Sequence, residues 1–207
     1  SIIPRDLSLA ASNELMNRPS VASALGRIAA VDLLLNNWDR LPLGINAWVP
    51  DPEGFFAGCP LGNLDNLLYR CDESGADGVL IAIDTDMKRE CLSKMTEGQL
   101  IDELREAFND LSIAVSRGEI SRMAQALHDG IAFHRPGVDL SESTLLTFQQ
   151  SLVSTLKALE RIDLETLHAQ SMRLCSLAEE PTTEALVART RRILTVWQQV
   201  HDSNLPP

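Results

Sequence analysis

With 207 residues, 44% hydrophobic content and a mean hydropathy near zero, the chain can bury one sizeable core or two small ones. Its acidity is spread out, with 13 acidic against 8 basic side chains in residues 1–95 and 16 against 10 in residues 96–207. The sequence therefore offers no basic stripe for a nucleic-acid backbone, and no run approaches the ~20 apolar residues of a membrane span.

The opening residues, Ser1-Ile2-Ile3-Pro4-Arg5-Asp6, do not form a signal peptide, and the missing initiator Met suggests a fragment or a processed product. Pro4 and Pro19 bracket a short helix predicted over Ser8 to Met16. Ser20 is the expected N-cap of a longer helix whose apolar face carries Val21, Leu25, Ile28 and Leu35. Asp32 falls on that same face. Either the following loop supplies hydrogen bonds to a buried carboxylate, or the helix rotates Asp32 to its edge. Asn36-Asn37 should end this helix, with Trp38 anchoring the exit and Pro42 preventing continuation.

Residues 43–63 hold Gly44, Pro50, Pro52, Gly54, Gly58, Pro60 and Gly62, a loop longer than a compact domain carries without a functional reason. Two short strands are predicted next, Leu67 to Arg70 and Val79 to Asp84, around a stretch dense in turn residues. An antiparallel hairpin sets Asn66, just before the first strand, beside Asp84 at the end of the second.

From residue 96 the pattern is helical. Thr96 caps a helix with the stripe Leu100, Leu104, Phe108, Leu111 and Val115, ended by Gly118. Ile120, Met123, Leu127 and Ile131 form a second stripe, stopped by Pro136-Gly137. Ser141 caps a third, Leu145, Phe148, Leu152, Leu156 and Leu159. Leu164, Leu167 and Leu174 make a fourth, and Pro181 separates it from Leu186, Thr190, Ile193, Trp197 and Val200. These stripes are core faces. The expected architecture is α+β, mainly α, with a small β-hairpin and a helical C-terminal half. Cys59, Cys71, Cys91 and Cys175 form no C-x-x-C pair and do not combine with His128, His134, His168 or His201 at zinc spacing, which fits reduced thiols in a cytoplasmic protein.

Three polar residues, Asp39, Asn66 and Asp84, stand at the ends of three apolar runs. One carboxylate to orient an attacking hydroxyl, with an amide and a second carboxylate to hold magnesium on phosphates, is the layout that phosphoryl transfer by a kinase needs. Each residue also has an ordinary alternative. Asp39 can be a turn residue beside Arg40, Asn63 and Asn66 loop-capping amides, and Asp84 the end of a strand. Arg40 fits a partner to a carboxylate or loop carbonyl better than a chemical role.

The run Asp32-Leu-Leu-Leu-Asn-Asn-Trp-Asp-Arg-Leu-Pro42, followed by Gly62-Asn63-Leu64-Asp65-Asn66 and Ile83-Asp84, resembles the catalytic core of the actin-fragmin kinases, an atypical branch of the protein-kinase-like fold. It is also similar to the Asp-Arg…Asn…Ile-Asp series of phosphoinositide kinases. The resemblance covers about residues 20–86. It implies a serine/threonine protein kinase that uses ATP and Mg2+ on a protein substrate, actin-related by the family's name. Asp39 then takes the place of the catalytic base, and Asn66 and Asp84 those of the metal ligands. Asp86 shares or replaces the role of Asp84, since Thr85-Asp86 stands where Phe-Gly is usual. The 26 residues between Asp39 and Asn66 form a longer insertion than an ordinary kinase loop.

No G-x-G-x-x-G occurs, and the lysines, Lys88, Lys94 and Lys157, all follow the catalytic stretch. The chain therefore reads as a single C-terminal lobe over 1–207, with a catalytic-loop segment at 1–95 and a helical subdomain at 96–207. Its N-terminal lobe is expected in cis or in trans. Two other classes stay open: a catalytically inactive kinase-like lobe serving as an interaction module, and a helical regulatory domain without nucleotide.

Overall fold

The computed structural model of the protein describes residues 13–37, 39–45, 62–71, 78–83, 96–163 and 180–203. Within them the chain is mainly helical with one antiparallel pair of strands. The elements are α1 (Asn13–Met16), α2 (Pro19–Leu35), β1 (Leu67–Cys71), β2 (Gly78–Ala82), α3 (Glu97–Arg117), α4 (Arg122–His134), α5 (Glu142–Leu159) and α6 (Glu180–Ser203). The predicted fourth stripe, Leu164 to Leu174, lies outside the described residues.

Helix α2 is the axis of the fold. It packs most extensively against α5 and also meets α6, β2 and α1. The expected single apolar face is too narrow a description. Ala22, Ala24, Gly26, Ala29 and Ala30 are buried as well, so neighbours surround the helix on most sides. Small side chains allow this. A Cβ on Gly26 would lie 2.3 Å from the Phe148 carbonyl oxygen and 2.8 Å from the Leu152 nitrogen, so the α2 and α5 backbones nearly touch there. One turn earlier, Ser151 Oγ donates to the Ser23 carbonyl at 2.7 Å. The start of α2 also differs from expectation. Arg18 is the N-cap, without a side-chain capping bond, and Pro19 is the first helical residue, where its missing N–H is harmless. Asn36 ends the helix in the left-handed conformation (φ 53°), as its residue type suggested.

The helical half follows its stripes. Thr96 and Gln99 form a capping box on α3, and Gly118 closes that helix at φ 68°. Ser121 caps α4 and Ser141 caps α5. Leu100, Leu104, Phe108, Leu111, Met123, Leu127, Ile131, Leu145, Phe148, Leu152 and Leu156 are all buried, each worth about 1.5–3 kcal/mol by removal from water. Phe108 meets Trp197 of α6 edge-on, with ring centroids 5.5 Å apart. Residues from both halves of the sequence belong to one apolar cluster, because α2 is sandwiched by the later helices.

The strands pair from Leu67 opposite Ala82 to Cys71 opposite Gly78. β2 stops at Ala82 rather than reaching Asp84, and Asp84 lies outside the described residues. Along β2 the side chains alternate. Leu80 is buried, whereas Val79, Ile81 and Ile83 are exposed on the other face, at 66%, 37% and 36%.

Candidate active site

The site begins where α2 stops. Asn36 turns the chain and Asn37 N–H returns to the Asp32 carbonyl at 2.8 Å, which directs residues 39–45 back along the helix end. Leu41, Pro42 and Leu43 are buried and fix this segment by packing. Gly62 lies directly against it. A Cβ there would meet Pro42 Cδ at 2.9 Å, and its φ of 139° favours glycine in any case. Asn63 N–H then bonds the Asp39 carbonyl at 3.0 Å, and the short 3-10 turn Leu64–Asn66 leads into β1.

That path brings Asp39 and Asn66 together. Asn66 is buried and Asp39 half-buried, and Asn66 Nδ2 lies 3.4 Å from Asp39 Oδ2 and 3.5 Å from the Asp39 carbonyl. Asn66 Oδ1 accepts from Asn63 Nδ2 at 3.4 Å. Asn63 does cap the turn, its Oδ1 accepting from Asp65 N–H at 3.2 Å, as the ordinary alternative for it supposed. Across the hairpin, Ile83 N–H donates to the Asn66 carbonyl at 2.9 Å. The hairpin thus sets the residue preceding Asp84 beside Asn66. Asp84 and Asp86 themselves lie outside the described residues.

Beneath these groups lies a buried ion pair. Asp32 is fully buried, which selects the first of its two alternatives: the following loop does supply its partners. Arg40 Nη1 donates to Asp32 Oδ1 at 2.5 Å, and Asn37 Nδ2 donates to the same oxygen at 3.1 Å. Asp32 Oδ2 has no hydrogen-bond partner among the described residues. Burial raises the Asp32 carboxyl from its ordinary 3.8 to about 6, against the opposing pull of Arg40 and Asn37. Arg40 reaches further, its Nη2 donating to the Ile83 carbonyl at 3.1 Å. Both partners foreseen for it, a carboxylate and a loop carbonyl, are present. At the rim, Asp65 Oδ1 pairs with Arg135 Nη2 just beyond α4.

A hard cation such as Mg2+ takes oxygen ligands. The Asn66 amide oxygen is of that type, and among the described residues the contact that a cation at Asn66 Oδ1 would displace is the long 3.4 Å one from Asn63. Among the described residues no three His, Cys, Asp or Glu side chains converge as a metal site. Of the three residues expected to hold a cation, Asn66 is thus described, and Asp84 and Asp86 lie outside the described residues. No helix among the described residues is long and apolar enough to cross a membrane.

Two features escaped the sequence: Ile83 as the residue whose carbonyl Arg40 bonds, and the Asp65–Arg135 pair. Neither carries a local signal, because the partners are 43 and 70 residues apart. No protein-family model and no curated protein matches the chain.

Proposed function

We propose that this chain forms one face of a Mg-ATP-dependent site that phosphorylates serine or threonine of a protein substrate, as the C-terminal lobe of an enzyme similar to the actin-fragmin kinases. The observation that carries the proposal is the approach of the Asp39 carboxylate to the Asn66 amide across 26 intervening residues. Asp39 orients the substrate hydroxyl and accepts its proton. Asn66 Oδ1 and Asp84, with Asp86 beside it or in its place, hold the cation. Mg-ATP supplies the phosphoryl group and the positive charge that offsets its negative oxygens. The exposed stripe of Val79, Ile81 and Ile83 runs along β2 and ends at Ile83 beside Asn66, and it offers an apolar surface for the second lobe, in cis or in trans.

Phosphoryl transfer depends on positioning and charge stabilisation, and charge contacts in open water are weak. The 207 residues alone should therefore transfer no phosphate, and activity should appear when the N-terminal lobe is supplied. In the assembled enzyme Asp39→Asn should lower kcat by ~100-fold or more, with ATP affinity little changed. Equal activity would return Asp39 to the role of a turn residue. Robust phosphorylation by the isolated chain would show that the phosphate-binding lysine and loop lie within it.

A second assignment, a catalytically inactive lobe used as an interaction module, is favoured by the same exposed stripe. Mg-dependent nucleotide binding by the assembled protein separates the two.

A further inference from the structure

Arg40 stands where three parts of the chain meet. Its backbone follows Asp39. Its guanidinium bonds Asp32 of α2 through Nη1 and the Ile83 carbonyl, just past β2, through Nη2. Ile83 N–H bonds the Asn66 carbonyl, and the Asn66 side chain returns to Asp39. The contacts close a ring: Asp39, Asn66, Ile83, Arg40 and back to Asp39 through the peptide bond. Both backbone polar groups of Ile83 are used in it.

Burying the charged side chain of Arg40, only 2% exposed, is expensive, and an apolar side chain of similar volume often fills such a space at lower cost. What arginine adds is a rigid planar fork that holds two acceptors at a set spacing and direction. One of those acceptors belongs to the end of α2 and the other to the residue before Asp84. We propose that Arg40 and Asp32 are positioning residues, which fix the Ile83 backbone against Asp39 and Asn66 and so set the geometry of the site. What the positioned groups do rests on the phosphotransfer assignment above; the positioning itself does not.

Arg40→Lys keeps the charge but loses the fork, and Asp32→Asn keeps the shape but loses the charge. Arg135→Lys, in the exposed pair at the rim, is the control. Amide hydrogen exchange on the 207-residue chain reads the ring directly. In Arg40→Lys and Asp32→Asn the Ile83 amide should exchange about 10- to 100-fold faster, the loss expected for a charge-assisted hydrogen bond, while Leu104, Phe108 and Leu127 keep wild-type protection. Arg135→Lys should leave Ile83 unchanged. Mn2+ alone serves as a paramagnetic probe of the cation site. It should broaden the Asn66 side-chain amide in the wild type, and need about 10-fold more metal to do so in Arg40→Lys.

Unchanged Ile83 exchange in both variants would overturn the proposal. So would uniform acceleration that includes α3 and α4, or failure of both variants to fold, since each marks a general stability role. Should only Arg40→Lys fail to fold, Asp32→Asn decides by the same readout. Selective loosening at Ile83 with no Mn2+ effect on Asn66 in the wild type would sustain the positioning role and count against Asn66 as a cation ligand in the isolated chain, leaving phosphotransfer to the activity test on the assembled enzyme.

Discussion

Two regions of this molecule differ in what is buried beside their apolar residues. From α3 to α6 the interior is mainly apolar, filled by Leu104, Phe108, Leu127 and Trp197, with Gln149 as its fully buried amide, bonded to Ser121 N–H and the Glu119 carbonyl. Among the described residues of 32–83, apolar packing by Leu41, Leu43, Leu64 and Leu67 is joined by a buried polar group: Asp32, Asn36, Asn37, Arg40 and Asn66. Apolar packing tolerates repacking, because its energy has no preferred direction. A buried polar network does not, because each donor must meet its acceptor at bond length. The difference teaches where this chain invests in geometry rather than in stability: at the junction of α2, the Asp39 loop and the end of β2.

The sharpest way to break the comparison is Arg40→Ala. It leaves the Asp32 carboxylate buried without its counter-charge and the Ile83 carbonyl without its donor. We expect a loss of about 3–5 kcal/mol in denaturant unfolding. Adding Asp32→Asn to Arg40→Ala should restore a large part of that stability, because the stranded charge is gone. A double variant as unstable as the single one would show that lost packing, not stranded charge, dominates at Arg40.

Gly26→Ala probes the apolar side. The added methyl falls 2.3 Å from the Phe148 carbonyl oxygen, and a backbone atom cannot step aside as a side-chain tip can. Moving α2 off α5 disturbs the whole interface, so we expect a cost of about 3 kcal/mol or more, above the usual range for overpacking. A melting temperature within a few degrees of wild type would mean that the two helices separate easily.

The two regions also answer differently to pH. Asp32 is raised to about 6, first by burial, so between 3.8 and about 6 the folded chain holds a proton that the unfolded chain has released. Stability from this group therefore falls as pH rises through that window and is level above it, by about 3 kcal/mol at most. His128 is raised above 6.5, first by its hydrogen bond to Asp129 and then by that to Asp139, both at 2.9 Å. Its contribution is fully present below 6.5 and is lost as pH rises through the folded value. Both steps go downward, for opposite reasons: Asp32 is penalised when charged, and His128 is rewarded when charged. Asp32→Asn should remove the lower step alone and His128→Gln the upper one alone. Urea unfolding at a series of pH values checks both, and a rise in wild-type stability between pH 4 and 6 that Asp32→Asn abolishes would reverse the sign assigned to Asp32.

What the sequence disclosed divides along the same line. Periodicity marks residues that face one direction, so the stripes of α3, α4 and α5 and the tail of α6 were legible, as were Thr96, Gly118 and Ser141, whose roles are local. The hairpin and the order of Asp39 and Asn66 were legible because turn chemistry and strand alternation act over a few residues. Gly26 was not, since alanine and glycine carry almost no hydropathy signal and the close crossing depends on α5, more than 120 residues away. The environment of Asp32 stayed undecided for a related reason. Its place on an apolar face was visible, but whether a partner reached it depended on how the chain turned after Asn37. Arg40 could be given a class of partner from its chemistry, but not Ile83 as that partner, because nothing near Arg40 encodes where β2 ends.

The smallest expected effect is at the rim, where Asp65 and Arg135 form a second acid–arginine pair beside the same loop. Their side chains are 69% and 32% exposed, against 0% and 2% for Asp32 and Arg40. Water already solvates the exposed partners, so separating them strands no charge, and ordering two flexible side chains offsets most of the attraction. Asp65→Ala should therefore change stability by less than about 1 kcal/mol, and 1 M salt should erase even that difference. The turn should persist, because the Asp65 backbone N–H still bonds Asn63 Oδ1 and the Asn66 N–H still bonds the Asn63 carbonyl. Hydrogen exchange at Ile83 should match wild type. A loss at Asp65 comparable to that at Arg40 would mean that the arm from α4 also holds the site in place, and that burial is not what separates the two pairs.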